Sequence, residues 1–241
     1  IEVINTELMI ADMESLERRK AKIEKLAKSG DKEARSQMEV IKNLIQTINE
    51  GRPVKSVTGL SVEEKKFVKS LTLLSAKPVL YICNMKDPSD TESELVIKVK
   101  EIAKQDGSVV VALAGKIESE IMEMDDPEEQ KMFMEEMGLT ETGLDQMIST
   151  GYGLLELSTY FTAGEKETRA WTIPKNSKAP QAAGAIHSDF EKGFIRAEVY
   201  RLEDLEKYKT EAAIKEAGKL RVEGKEYIVQ DGDIMHFRFN V

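Results

Sequence analysis

The stretch Pro78, Val79, Leu80, Tyr81, Ile82, Cys83, Asn84, Met85, Lys86 and Asp87 decides how the chain is read. Val79 to Cys83 is an unbroken apolar run rich in strand formers, and Asn84 to Asp87 ends it with polar groups. A run bounded by a proline and a turn predicts a strand buried on both faces of a parallel sheet. Open α/β sheets bind ligands beyond the carboxyl ends of their strands. An Asn followed three positions later by an Asp can serve a purine there. The amide both donates and accepts, whereas an ionised carboxylate only accepts. Asn and Asp after a strand are also ordinary turn chemistry, so the neighbouring sequence has to arbitrate.

Downstream, Ser89 and Asp90 start a helix carrying Leu95, Val96, Val99 and Ile102 that stops at Gly107. Val109 to Leu113 is a second wholly apolar run, ending in Ala114, Gly115 and Lys116. Strand, helix, strand at this spacing is a βαβ unit with a right-handed crossover. Upstream, Ser61 and Glu64 form a capping box before Phe67, Val68, Leu71 and Leu74, which predicts a helix from Val62 to about Leu73.

Further upstream, Leu8 to Asn49 reads as two helices folded back on each other. Met9, Met13, Leu16, Ile23 and Ala27 follow a four-three spacing, with Lys20 interrupting the seam. Ser29, Gly30 and Asp31 supply a stop and a start, and Ala34, Met38, Ile41, Ile45 and Ile48 resume the spacing. Charged residues fill the positions between, the pattern of an antiparallel coiled-coil hairpin.

Beyond Lys116, Asp126 and Pro127 begin a helix with Met132, Phe133 and Met137 on its apolar side, and Leu144 to Leu157 forms another containing Gly151 and Gly153. After Thr159 the texture changes. Thr168 to Ile173 and Phe194 to Tyr200 alternate as strands, with a short helix from Ala179 to Phe190 between them. Lys219 to Val222 and Tyr227 to Val229 flank Glu223, Gly224 and Lys225, a hairpin signal, and Ile234 to Phe239 is a last strand. This mixture makes a small α+β domain.

Composition fits these elements. The 241 residues are 41% hydrophobic and 33% charged, enough for a core and a soluble surface. A net charge of −9 argues against a bulk nucleic-acid coat but leaves room for a local basic face. The one cysteine, Cys83, cannot form an internal disulfide, sits in the apolar run where it reads as buried and inert, and points to a reducing, cytoplasmic compartment. No apolar stretch approaches a membrane span. With His187 and His236 as the only histidines, a His-based metal site is not expected.

Taken together, Val79 to Asp87, Val109 to Lys116, the Leu8 to Asn49 arm and the closing run from Gln230 to Val241 resemble the YchF family. These are P-loop NTPases related to the Obg group of translation-associated GTPases. Tyr160 to Gly164, Arg169 to Thr172 and Ala179 to Arg196 also resemble that family's closing TGS domain. The resemblance runs from Ile1 to Val241. It implies an α/β fold: part of a P-loop NTPase parallel sheet, an inserted coiled-coil arm and a carboxyl-terminal α+β β-grasp (TGS) domain. The implied division is 1–6 for the tail of a nucleotide-binding domain, 7–75 for the arm and return helix, 76–157 for the rest of that domain and 158–241 for TGS.

By the same resemblance Asn84, Met85 and Asp87, within Asn84-Met85-Lys86-Asp87, answer to the Asn-Lys-x-Asp base-recognition motif of related GTPases. Asn84 would brace the loop and the base, Met85 would lie at the base, and Ala114, Gly115 and Lys116 would offer backbone N–H groups to the purine rim. Asp87 keeps the acid that suits guanine, while Met85 fits the apolar replacement seen in YchF proteins, which resemble ATPases more than GTPases. The implied ligands are ATP, with GTP bound less well, and Mg²⁺ in a complete protein. The implied partner is the ribosome or RNA, with no membrane, and the chain is expected to be a monomer.

The sequence contains no Gly-x-x-x-x-Gly-Lys-[Ser/Thr], and no Asp-x-x-Gly precedes the arm. A P-loop cradles phosphates, supplies the phosphate lysine and places a hydroxyl on Mg²⁺. The chain therefore reads as a piece of a longer NTPase that keeps the base-recognition half, contains no catalytic residue and does not hydrolyse nucleotide. Lys166, Arg169, Lys175, Lys178, Lys192 and Arg196 give the TGS region a candidate basic face, and the resemblance to TGS domains makes Arg169, Lys175, Lys178, Lys192 and Arg196 the candidates for RNA binding. The competing reading is a non-enzymatic adaptor that binds RNA or protein through the arm and the TGS face.

Overall fold

A computed structural model describes residues 1–164 and 167–240. Lys166 and Val241 therefore lie outside the described residues. The chain divides into two compact units, 1–83 with 91–110, and 84–90 with 111–241.

In the first unit, α1 (Glu2–Lys28) and α2 (Lys32–Asn49) run antiparallel. Arg19 Nη2 donates to Gln37 Oε1 at 3.3 Å, and Arg35 Nε donates to Ala27 O at 3.1 Å, so residues early in one helix meet residues late in the other. The Asp31 carboxylate caps α2 by accepting from Ala34 N–H at 2.7 Å. Helix α1 starts at Glu2, six residues before the expected Leu8, because Ile1 to Glu7 continue the helix without a breaker. The predicted seam is buried at Met9, Leu16, Ile23, Ala34, Met38, Ile41 and Ile48.

A second buried stripe on α2, Val40, Leu44 and Thr47, is absent from the four-three spacing. It exists because α2 has a neighbour on its other side, α3 (Val62–Ser70), whose Phe67 lines a cleft together with Val40. Ile41 and Leu44 are fully enclosed, and each such side chain contributes about 1.5–3 kcal/mol of burial. The predicted capping box of α3 is present, with Ser61 Oγ accepting from Glu64 N–H at 3.2 Å and Glu64 Oε2 accepting from Ser61 N–H at 2.8 Å.

One buried carboxylate organises the return of the chain from α3. Asp12 is 2% exposed and accepts from the N–H groups of Leu74 and Ser75, each at 2.7 Å. Ser75 Oγ accepts in turn from Val54 N–H at 3.1 Å. After β1 (Leu80–Asn84) comes α4 (Glu94–Asp106), which ends at Gly107 in the left-handed conformation (φ 68°) and leads into β2 (Val109–Leu113). The helix predicted to start at Ser89 begins instead with a 3-10 turn, Pro88–Glu92. Lys55 Nζ reaches Asp106 at 3.2 Å and Ser108 Oγ at 2.9 Å, fixing the end of α4.

Strands β1 and β2 form a two-stranded sheet. Val109 N–H donates to Val79 O at 3.1 Å at its start. Burial on both faces, expected from the apolar runs, is not found: Ile82 is 48% exposed and Cys83 only half-buried. Among the described residues no third strand pairs with β1 or β2, so this sheet is only two strands wide.

The second unit continues through α5 (Gly115–Met122), α6 (Pro127–Glu136) and α7 (Gly143–Leu154). Asp126 caps α6, accepting from Glu128 N–H at 2.9 Å. There follow β3 (Leu157–Ala163), β4 (Thr168–Pro174), α8 (Ala179–Ile186), α9 (Ser188–Lys192), β5 (Phe194–Arg201), α10 (Leu202–Tyr208), α11 (Glu211–Glu216), β6 (Arg221–Glu223) and β7 (Asp233–Phe239). The sheet order is β4-β3-β7-β5-β6, antiparallel except for the β3–β7 pair.

One face of this sheet packs Tyr160, Ile173, Ala197, Val199, Met235 and Phe237 against Ala179, Ala182 and Ala183 of α8. The small alanines let the helix approach closely, and Tyr160, its hydroxyl pKa raised by burial, donates to Ala182 O at 2.8 Å. On the other face Tyr200 and Ile234 pack with Ile214 of α11.

Strand β3 was not recognised in the sequence, which extended the preceding helix to Leu157. The predicted hairpin is also corrected: β6 pairs with β5, and residues 227–229 are not its partner. Asp233 is fully buried and holds that segment elsewhere, accepting from Tyr227 Oη at 2.6 Å and from Gln230 N–H at 2.8 Å. Val229 N–H donates to Ser177 O at 3.0 Å, just ahead of α8.

Candidate functional site

Asn84, Met85, Asp87, Ala114, Gly115 and Lys116 all fall in the second unit, where the ends of the two apolar runs meet. Gly115 N–H donates to Asn84 Oδ1 at 3.2 Å, and Met85 N–H donates to Leu113 O at 2.8 Å. Parallel strands that stop side by side present their last residues to the same space, so this closeness follows from the βαβ order. A Cβ at Gly115 would lie 3.3 Å from Asn84 Oδ1, so the glycine permits the approach.

The resemblance implies that Ala114, Gly115 and Lys116 after β2 meet the purine as a base-contacting loop. This segment is the start of α5, and two of its three N–H groups are already engaged. Gly115 N–H meets Asn84, and Ala114 N–H donates to Glu118 Oε1 at 2.9 Å. Lys116 is exposed, 3.8 Å from Glu120. The exposed Asp87 carboxylate uses Oδ1 twice, accepting from Ser89 N–H at 2.8 Å and from Ser89 Oγ at 2.6 Å. These hydrogen bonds hold the Asp87 pKa below the usual carboxylate range, so it is ionised at neutral pH.

Sequence reasoning missed Glu118 and Gly143. Glu118 is 9% exposed, and while Oε1 holds Ala114 N–H, Oε2 accepts from Gly143 N–H at the start of α7. One buried carboxylate thus ties two helix starts together next to the Asn84 contact. The available signal was Ala114, an N-cap that has no capping side chain, followed by a glutamate one turn into the helix.

The candidate basic set is not one face. Arg169 shares a sheet face with Trp171, stacking on it at 4.3 Å, and Trp171 packs toward the α8 side. Arg196 alternates with the buried Ala197 and so points to the opposite face, 3.7 Å from Glu198. Lys178 pairs with Glu226, while Lys175 and Lys192 are exposed. Among the described residues there is no cluster of three or more His, Cys, Asp or Glu side chains able to hold a metal ion. No helix of the described residues is long and apolar enough to cross a membrane.

Comparison with known proteins bears on what this arrangement belongs to. The chain is 51% identical over 246 residues to a Bacillus subtilis protein and 49% identical over 241 residues to an Escherichia coli O157:H7 protein. Both are described as "Ribosome-binding ATPase YchF", and each match takes in 100% of this chain. The Schizosaccharomyces pombe YchF GTPase structure superimposes with a TM-score of 0.82 at 34% identity, covering 98% of this chain and 64% of that one.

The chain belongs to the YchF family.

It spans 66% of the length of the two curated YchF relatives. The YchF-GTPase_C family, described as a protein of unknown function (DUF933), matches residues 157–240, which take in the five-stranded sheet. A GTP binding protein of Pyrococcus horikoshii shares the fold, with a TM-score of 0.55 at 17% identity. In this YchF chain the Asn84–Gly115 hydrogen bond and the Glu118 carboxylate, which holds Ala114 and Gly143, meet at the adjacent residues Ala114 and Gly115 within a single unit.

Proposed function

We propose that the chain binds a purine nucleotide at the ends of β1 and β2 and serves a ribosome-associated role in the cytosol. The observation that carries this reading is the Asn84–Gly115 hydrogen bond, which joins the two candidate base-contacting segments. Asn84 spends its oxygen on Gly115, and its amide N–H groups remain available to a purine N7, an acceptor present in adenine and guanine alike. Guanine offers two adjacent donors, N1–H and the exocyclic amine, which two free carboxylate oxygens satisfy best. Asp87 Oδ1 already accepts twice from Ser89, so only Oδ2 is fully free. With the apolar Met85 beside it, the site gives up guanine preference and favours ATP over GTP.

The names of the relatives support the ribosomal role and the ATPase class. When ATP is bound it supplies a phosphoanhydride for hydrolysis. This chain's residues hold and orient the base, and Mg²⁺ belongs with phosphate-binding elements that these motifs do not include. We read α1 and α2 as a coiled-coil arm and residues 158–241 as a TGS module, with 76–157 as part of the nucleotide-binding domain. Because the sequence contains no P-loop motif, the 241-residue chain binds nucleotide without hydrolysing it.

Calorimetric titration of ATP and GTP into the chain and into Met85→Lys tests this reading. The parent is expected to bind ATP at least as tightly as GTP. Met85→Lys should shift the ratio toward GTP by about three- to tenfold, up to ~1.4 kcal/mol, and neither protein should release phosphate. No binding by the parent, or a ratio indifferent to the substitution, contradicts the site, and steady phosphate release contradicts the inactivity.

A further inference from the structure

A polar cavity in the first unit carries chemistry that the nucleotide site does not use. Ser15, Arg18, Arg19 and Lys22 of α1, with Ser70 and Leu71 at the end of α3, line about 300 Å³. The four α1 residues recur at i, i+3, i+4 and i+7 and so share one helix face. No carboxylate is in the lining, although the chain as a whole carries a net charge of −9. Lys20, Lys28 and Lys42 on the same helix pair all have glutamate partners, at 3.1, 2.6 and 2.7 Å. Arg18, Arg19 and Lys22 have no ion-pair partner among the described residues.

The Arg19 guanidinium is held in place before any ligand arrives. Its carbon sits 5.8 Å from the Phe67 ring centroid, and Nη2 donates to Gln37 Oε1 at 3.3 Å. Its Nε is enclosed without an acceptor. An enclosed donor left without a partner costs free energy, and here it sits in a guanidinium whose remaining donors also lack a carboxylate. Ser70 spends its hydroxyl hydrogen on Phe67 O at 2.6 Å, which leaves donation to the cations and Ser15.

We propose that this cavity binds a phosphate group of an RNA backbone. Guanidinium forks match the oxygens of a phosphate, and a lysine adds a strong point charge beside them. Two of the cations, Arg18 and Lys22, are exposed, so a continuous strand can reach them. The choice of RNA as the source of the phosphate rests on the ribosome reading above, whereas the anion chemistry stands on the cavity alone.

The test is fluorescence anisotropy of a labelled single-stranded RNA of about 16 nucleotides with the 241-residue chain, across roughly 50–200 mM salt. Arg18→Glu/Lys22→Glu should weaken binding about tenfold or more. It should also flatten the salt dependence by about 1.4 in log–log slope, at roughly 0.7 per lost contact. Lys32→Glu/Lys104→Glu makes the same change in net charge at exposed positions outside the cavity and should stay within about twofold. Ser70→Asp, which keeps all three cations, should also weaken binding.

Equal losses in both double variants would reduce the effect to bulk charge and overturn the proposal, as would no loss in either. Inorganic phosphate binding that depends on Arg18 and Lys22, beside RNA binding that does not, overturns RNA as the source. Variant-sensitive RNA binding by a chain that fails to sediment with ribosomes upholds this site and counts against the ribosome reading instead.

Discussion

Replacing Gly143 with alanine is expected to lower the melting temperature by about 6–12 °C, the equivalent of ~3 kcal/mol in a chain of this size. A Cβ at position 143 would lie 2.5 Å from Leu113 Cβ and 2.8 Å from Glu118 Oε2. Neither neighbour is the loose end of an exposed chain: Leu113 ends β2, and Glu118 is held by Ala114 N–H. Relief of the clash pushes the Glu118 carboxylate off the two helix starts, leaving a buried charge with fewer donors. The contrast lies in the same helix. Gly151 has nothing within 4 Å of the position its Cβ would take, so Gly151→Ala should be neutral or stabilising by up to about 1 kcal/mol. Thermal melts followed by circular dichroism decide between the two. Equal melting temperatures for both variants would mean that the Leu113–Glu118–Gly143 packing does not matter. Nucleotide affinity should fall in Gly143→Ala and persist in Gly151→Ala, because Glu118 also fixes the start of α5 beside Asn84.

Asp12→Ala is expected to cost about 3–6 kcal/mol. Hydrogen bonds to a charged group are worth about 1.5–3 kcal/mol each, and two are lost at once. Leu74 and Ser75 donate to the two oxygens at 2.7 Å, and truncation takes both acceptors away from these N–H groups. Asp12→Asn keeps one acceptor but aims an amide N–H₂ at the second backbone donor, so it should cost about 2–3 kcal/mol rather than rescue the site. Urea denaturation measures both. Costs within about 0.5 kcal/mol of the parent would remove Asp12 as the tie between α1 and the segment after α3.

Much of this organisation could be read from residue patterns, and the failures have physical causes. The α1–α2 seam, the Ser61–Glu64 capping box, the Asp126 cap and the Gly107 stop were legible because each depends on neighbours within a few positions. Val40 and Leu44 were not, since their burial depends on α3, which returns from more than ten residues away. Ile82 and Cys83 have the composition of a strand covered on both faces, yet composition cannot say whether covering layers are at hand. The segment from Tyr227 was taken for a hairpin partner because Gly224 marks a turn, and the buried Asp233 that claims Tyr227 acts from outside that window. At the candidate site, Asn84 and Gly115 announced themselves as polar and glycine residues after apolar runs. Glu118 did not, because a buried glutamate has the same letter as the many solvated ones around it. The basic residues Arg169 and Arg196 seemed one set until strand alternation put them on opposite faces of the sheet.

The central claim is that a purine is recognised where β1 and β2 end. Backbone amide NMR of the 241-residue chain during an ATP titration tests it most directly. The account predicts saturable shifts concentrated at residues 84–87 and 114–118, greatly weakened in Asn84→Ala. Saturable shifts that leave both segments unmoved, or an Asn84→Ala spectrum that responds to ATP just as the parent does, would contradict it.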